Sequence, residues 1–287
     1  MTIAAVVLDF DGTFTEVSAE AIPFVDAYRK GLEGHVGRPL DEMWRAAEAL
    51  VDADPQAHGW RYDGRIVAPA HADPYIRTST VAHLVLDRLG IWPDAEERTQ
   101  RLAALFREAY ANSDVVFRPE ARAVLEAIRA TGVPVRIVTN SDTAAVRAKL
   151  ARLLPDAVDA IEVHGGARKY VLGAPTAPSP LFDALPERID PPGLARPVWV
   201  RRGHYFDVLR SIWQAVGAGP EALFVCGDIL ELDLALPAML GAHVHLVARP
   251  ETAEWERSWI ERAPRGGLGT DLGSILRRLR ALGLDVH

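Results

Sequence analysis

Residues 3–13 read IAAVVLDFDGT, and no other stretch limits the possible folds as strongly. Six apolar residues run without interruption over 3–8, and the chain then turns acidic at Asp9 and Asp11 and flexible at Gly12. A run this short, ending so abruptly in polar residues, marks a fully buried strand. Strands buried on both faces belong to parallel sheets covered by helices. In open sheets of that kind ligands bind beyond the carboxyl ends of the strands, which is where these two acids fall. Carboxylates two residues apart on an extended chain point the same way. Taken alone, the pair remains open to other readings, a structural turn or a calcium-binding loop.

The remainder of the chain falls into two patterns. Over 16–114 the apolar spacing is helical, with helices expected at 20–32, 40–51, 80–89 and 94–110 and no strand among them. Between the second and third lies HGWRYDGRIVAPAHADPY (58–75), read as an irregular loop. From 115 onward helices and strands alternate: helices at 118–131, 142–154, 205–216 and 232–240, strands at 135–139, 160–163, 223–226 and 244–247, and a closing helix at 272–282. Alternation of this kind is the signature of a doubly wound, Rossmann-like parallel sheet. The expected class is therefore α/β, with a core from 1–15 and 115–287 and a helical domain from 16–114. Within the core, 165–202 carries seven prolines and reads as an insertion, its pieces ARKYVLG and ARPVWVRR pairing as an irregular hairpin. GGLGTDLG (266–273) has the wrong spacing for a dinucleotide loop.

Two more motifs sit at strand ends. VTNSD (138–142) leads into a helix whose free N–H groups, capped by Ser141 or Asp142, suit an anion, although such residues cap helices everywhere. GDILELD (227–233) follows a buried strand and brings Asp228 and Asp233 to the same sheet edge. Clustered carboxylates repel one another, and a divalent cation is the simplest counter-charge. Glu231 reads as a helix N-terminal acid. His243 and His245 read as packing residues, since no third ligand is near, and Cys226 as strand filler.

The formal charge of −7 disfavours a grip on nucleic acid, which needs a basic surface. No apolar run approaches the roughly 20 residues that span a bilayer, and Asp9 and Asp11 interrupt the one stretch resembling a leader. A cytoplasmic protein without a membrane partner is expected, and a single cysteine agrees with a reducing compartment. Of 32 basic residues only Lys30, Lys149 and Lys169 are lysines, so each is open to two readings, a place where a compact ammonium is wanted or a chance survivor. By position, Lys149 reads as a solvated helix residue and Lys30 as part of the helical block.

DFDGT, a hydrophobic strand ending in Thr139, a lysine and GDILELD, in that order, resemble the motif series of the haloacid-dehalogenase-like superfamily over residues 3–247. The resemblance implies a magnesium-dependent phosphohydrolase with a helical cap between the first two motifs. Asp9 is then the nucleophile and Asp11 the acid and base. Thr139 and the N–H of Asn140 hold phosphoryl oxygens. Asp9, the Asp11 carbonyl and Asp228 bind Mg2+, with Asp233 behind them or holding the lysine. Where relatives place that lysine this chain has Arg201 and Arg202. Lys169 is therefore assigned the catalytic role and Arg202 a contact to phosphate, with an exchange of these two roles left open. His58, Arg61, Tyr62 and Arg65 are candidates for choosing the substrate, a small phosphomonoester. Dehalogenation and phosphonate cleavage are disfavoured because those relatives lack the acid at Asp11. A phosphomutase and a non-catalytic binding module remain as alternatives, and the oligomeric state is open.

Overall fold

The computed structural model describes residues 2–286. The chain divides into two compact units, one built from the stretch up to Thr15 and from Phe117 onward, the other from Glu16–Val116.

β1 (Ala5–Leu8) opens the first unit. The second unit follows, with α1 (Val17–Val36), α2 (Asp41–Ala53), β2 (Gly59–Tyr62), β3 (Arg65–Pro69), α3 (Pro74–Leu89) and α4 (Ala95–Tyr110). Its four helices match the expected ones, with boundaries set by local chemistry. Asp73 caps α3 by accepting from the N–H groups of Tyr75 and Ile76, and Pro74 takes the first helical position, where no N–H is needed. Asp94 caps α4 through the N–H of Glu97. Phe24, Tyr28, Leu32, Trp44, Val85, Leu86 and Leu105 form this unit's own core.

The segment at 58–75 is not an irregular loop. β2 and β3 pair antiparallel, joined by Asp63 and Gly64, both at positive φ (48° and 71°). Asp-Gly is the dipeptide that such a two-residue turn demands, because its twist matches that of the strands. A register shift between Trp60 and Arg61 breaks the alternation that would have betrayed β2. Three of the proposed substrate-selecting residues, Arg61, Tyr62 and Arg65, lie on this hairpin and His58 just precedes it.

The chain then returns to the first unit. It forms α5 (Ala121–Ala130), β4 (Val135–Val138), α6 (Thr143–Leu153), β5 (Glu162–His164), the single turn α7 (Pro180–Asp183), and the short strands β6 (Arg188–Ile189) and β7 (Val198–Trp199). It ends with α8 (Gly203–Ala215), β8 (Leu223–Gly227), a π turn at Leu230–Leu234, α9 (Ala235–Met239), β9 (His243–Val247), α10 (Glu254–Arg262), β10 (Leu268–Gly269) and α11 (Gly273–Ala281). Six strands make one sheet in the order β10-β9-β8-β1-β4-β5, and every pairing is parallel. The doubly wound α/β class is thus the observed one. Among the described residues no helix is long and apolar enough to cross a membrane.

β1 sits where the strand order reverses, with β8 on one side and β4 on the other, the point in such sheets where ligands bind beyond the carboxyl ends of the strands. Its residues alternate between faces: Ala5 and Val7 pack with Phe206, Leu209 and Val225, while Val6 and Leu8 pack with Leu125, Ile128 and Ile275. Burying Val6, Val7 and Leu8 contributes about 1.5–3 kcal/mol each, more than the about 1–2 kcal/mol per residue that ordering the backbone costs. The strand therefore stays fixed beneath a charged end.

The proline-rich segment is part of the core rather than an addition to it, since Phe182, Leu185, Val198 and Val200 lie in the same cluster as β1. Its hairpin also differs from the expected pairing: β7 pairs with Arg188–Ile189, and the backbone of ARKYVLG is joined to that of the arginines by a parallel bridge, Gly173 to Arg202, rather than by a hairpin ladder.

His245 is buried against the ring of Phe224 and its Nε2 meets Ser274 Oγ at 2.8 Å. Burial, helped by Arg278 and Arg277, lowers its pKa from 6.5 to about 4. A histidine whose folded pKa is lowered binds its proton more readily when unfolded. It therefore removes stability as the pH falls from 6.5 towards 4, by up to about 3 kcal/mol. In urea unfolding at pH 7 and pH 4.5, His245→Phe is expected to lose less stability on acidification than the wild type. Equal losses would show that another group carries the acid sensitivity.

Candidate active site

Asp9 lies one residue beyond β1, its N–H bonded to the Cys226 carbonyl of β8 at 2.8 Å, so the sheet itself fixes the backbone beneath the carboxylate. Lys169 Nζ stands 2.7 Å from Asp9 Oδ1 and 2.7 Å from Asp233 Oδ1. The ammonium thus bridges the first and last motifs. Asp233 Oδ2 also accepts from the N–H of Ile229 at 3.0 Å, so this acid holds the lysine. Gly227 permits the return of the π turn: a Cβ there would stand 2.4 Å from that of Asp233.

Lys169 is itself held from three sides. Its N–H donates to Asn140 Oδ1 at 2.8 Å, its carbonyl accepts from Arg202 at 2.6 Å, and its ammonium lies 5.7 Å from the centre of the Tyr205 ring. Tyr205 in turn donates its hydroxyl to the Asp233 carbonyl at 2.8 Å. This corrects the expectation for Arg202. Its side chain is fully buried, bonded to the carbonyls of Trp199 and Lys169, and burial lowers its pKa to about 10. It supports the backbone that carries the lysine and offers no face to a phosphate.

Asp228, one residue past β8, puts Oδ1 3.1 Å from Thr13 Oγ1, and the same hydroxyl lies 3.2 Å from Asp9 Oδ2. A hydroxyl has one proton, so it cannot serve both carboxylates at once. Close approach here requires Gly12: at φ +86° a side chain is strained, and a Cβ would stand 2.4 Å from Asp228 Oδ2. Arg118 secures this turn by donating to the Gly12 carbonyl at 2.9 Å.

Asp9, Asp228 and Asp233 each place a carboxylate oxygen within 4.8 Å of the others. Burial pushes the Asp9 carboxyl well above the usual carboxylate range; Lys169 opposes this, while Asp233 and Asp228 add to it. Burial works against the Lys169 charge as well, but Asp233 and Asp9 outweigh it and raise its pKa. Lys169 and Arg249, whose Nε lies 2.9 Å from Asp228 Oδ2, together leave these three acids one positive charge short when all are ionised. The unshared hydroxyl proton between Asp9 and Asp228, and a donor set made only of hard oxygens, fit a cation such as magnesium.

Asp11 stands apart from this cluster. Its Oδ2 accepts from Ser141 Oγ at 2.6 Å and its Oδ1 pairs with Lys149 Nζ at 2.6 Å. Lys149, expected to be solvated, is instead mostly buried on α6 and turned to the acid. Thr139 is buried at the end of β4, its hydroxyl accepting from the Ser141 N–H at 3.1 Å, and Asp142 caps α6. Glu231 lies in the first turn of the π helix, as expected, and is also fully buried, gripping Arg196 through both oxygens at 2.9 and 2.5 Å.

A sequence profile described as haloacid dehalogenase-like hydrolase matches residues 3–184, and the chain belongs to that family. A comparison with curated proteins returns no match. Among solved structures, a predicted phosphoglycolate phosphatase from Haemophilus somnus 129PT is similar at TM-score 0.54 and 14% identity, over 96% of this chain and 98% of that one. A HAD family hydrolase from Deinococcus radiodurans R1 with bound phosphate and sodium is similar at TM-score 0.52 and 18% identity, over 99% of each chain. A haloacid dehalogenase-like family hydrolase from Xanthomonas campestris has TM-score 0.50 and 15% identity, over 98% and 92%. At these identities the likeness is one of fold.

Proposed function

We propose that the chain is a magnesium-dependent phosphohydrolase acting on a small phosphomonoester through an aspartyl-phosphate at Asp9. Family membership leaves the bond to be cleaved undecided. The observation that carries the choice is a second carboxylate, Asp11, two residues from a lysine-paired Asp9 and tethered separately from the acid cluster.

In this reading Asp9 attacks phosphorus, and the ester oxygen leaves with a proton from Asp11. Asp11, now a carboxylate, takes a proton from water, whose oxygen displaces phosphate from Asp9 and regenerates the nucleophile. Lys169 holds the Asp9 carboxylate in place and offsets charge gathering on the phosphoryl group. Thr139 and the N–H of Asn140 bind phosphoryl oxygens. Asp9, Asp228 and the Asp11 carbonyl, with Asp233 behind them, would hold magnesium, whose charge would offset repulsion between Asp9 and an incoming phosphate. The 16–116 unit, through His58, Arg61, Tyr62 and Arg65, is assigned the choice of substrate.

The test is phosphate release from a panel of small phosphomonoesters, with magnesium and with chelator. Turnover that requires magnesium supports the reading and ranks the substrates. Silence across the panel, together with no magnesium binding by calorimetry, would sink it.

A further inference from the structure

The counter-charge at Asp228 comes from outside every motif of the site. Arg249 stands two residues past β9, and its Nε lies 2.9 Å from Asp228 Oδ2, both side chains being almost wholly buried. A tied loop delivers it. The Arg249 N–H donates to Thr252 Oγ1 at 2.8 Å, the Thr252 N–H donates back to the Arg249 carbonyl at 3.1 Å, and Arg257 donates to that carbonyl at 2.7 Å. An arginine whose backbone is fastened at three points is aimed, unlike a surface side chain that has folded inward. The acids Asp9, Asp11, Asp228 and Asp233 thus face Lys149, Lys169 and Arg249. With every acid ionised, four negative charges would face three positive ones, one charge short of neutral before any metal binds.

A guanidinium beside Asp228 helps the metal-free chain, because a buried carboxylate left unpaired is costly. For a divalent cation at the same carboxylate it is a like charge at short range. We propose that Arg249 competes with the metal for Asp228: it neutralises that carboxylate in the metal-free protein, is displaced from it on metal binding, and so sets the metal affinity lower than the acids alone would. The inference rests on Asp228 being a metal ligand, as the proposed function has it.

Calorimetric titration of magnesium into the full chain tests it. Arg249→Gln is expected to bind magnesium about tenfold tighter or more than the wild type, and Arg249→Lys, which keeps the charge, within about threefold. The metal-free Gln variant should melt lower than the wild type and gain more on saturation with magnesium. A second readout needs only the wild type: the Nε–Hε resonance of Arg249, identified from its loss in Arg249→Lys, should shift during the titration and saturate with the calorimetric affinity. Unchanged or weaker binding by the Gln variant, or a resonance that stays fixed at saturation, overturns the proposal and leaves the phosphohydrolase reading standing. Absence of magnesium binding in wild type and Gln variant alike removes the metal from that reading, and this proposal with it.

Discussion

Asp9→Asn is expected to reduce phosphate release by about three orders of magnitude or more while leaving the fold intact. An amide is nearly the same size as a carboxylate but has no lone pair able to attack phosphorus at a useful rate, so a loss of nucleophile should appear in kcat. The retained fold follows from the environment of Asp9. Burial and the neighbouring Asp233 and Asp228 already disfavour its charged form, and Lys169 is the charge that opposes them. Replacing that charge by a neutral group relieves repulsion within the cluster, and Asp233 remains to hold Lys169. The melting temperature of the metal-free variant should therefore equal or exceed that of the wild type, whereas a merely structural aspartate would lower it. Acid-quenched mass spectrometry during turnover should detect a phosphoryl adduct on the wild type and none on the variant. Activity within tenfold of the wild type would move the nucleophile to another residue.

The same chemistry explains which parts of the molecule were legible in its sequence. Buried parallel strands announce themselves because they are apolar on both faces, and β1, β4, β8 and β9 were all visible as short aliphatic runs. Asp9, Asp228 and Asp233 were visible because acids next to such runs are costly unless they have a task. Lys169 was visible through its scarcity, as one of three lysines in an arginine-rich chain, and through the motif series that calls for a lysine. β10 was not, since two residues carry no periodicity, and β2 was hidden by its irregular register although Asp63-Gly64 marked the turn.

Contacts made only by tertiary folding were the real losses. Lys149 reaches Asp11 across 138 residues of sequence, and nothing on its own helix distinguishes it from a solvated lysine. Arg249 reaches Asp228 from a loop that carries no motif. Arg202 was misplaced for the converse reason. A basic residue near a phosphate site invites a role as ligand, yet Arg202 is fully buried and two of its donors go to the carbonyls of Trp199 and Lys169. Backbone carbonyls leave no trace in a sequence, so an arginine that serves them looks identical to one that serves an anion.

Lys169→Met should be the most destabilising single change in the site. The methionine stem fills most of the same space, so what is lost is the charge between Asp9 and Asp233. Removing one partner of a buried ion pair leaves the other uncompensated and costs about 3–5 kcal/mol. Here two carboxylates are left, with Asp228 close by and Arg249 paired to Asp228. The pH dependence distinguishes this cause from simple loss of packing. In the wild type the lysine pKa is raised in the folded state, so its stabilisation is fully present at pH 7 and is lost only in strongly alkaline solution. In the variant the Asp9 carboxyl, already pushed up by burial, loses the lysine that opposed that shift and takes up a proton more readily. Folding then becomes more favourable as the pH falls, so the stability gap to the wild type should narrow between pH 7 and pH 5. Magnesium should narrow it at pH 7 as well, by restoring positive charge between the acids. Chemical denaturation at both pH values, with and without magnesium, measures all three effects. A gap that is large but independent of pH and of magnesium would mean that Lys169 matters for its packing against Tyr205 rather than for its charge. In that case the electrostatic account of the cluster, including the need for a cation beside Asp9, would have to be abandoned.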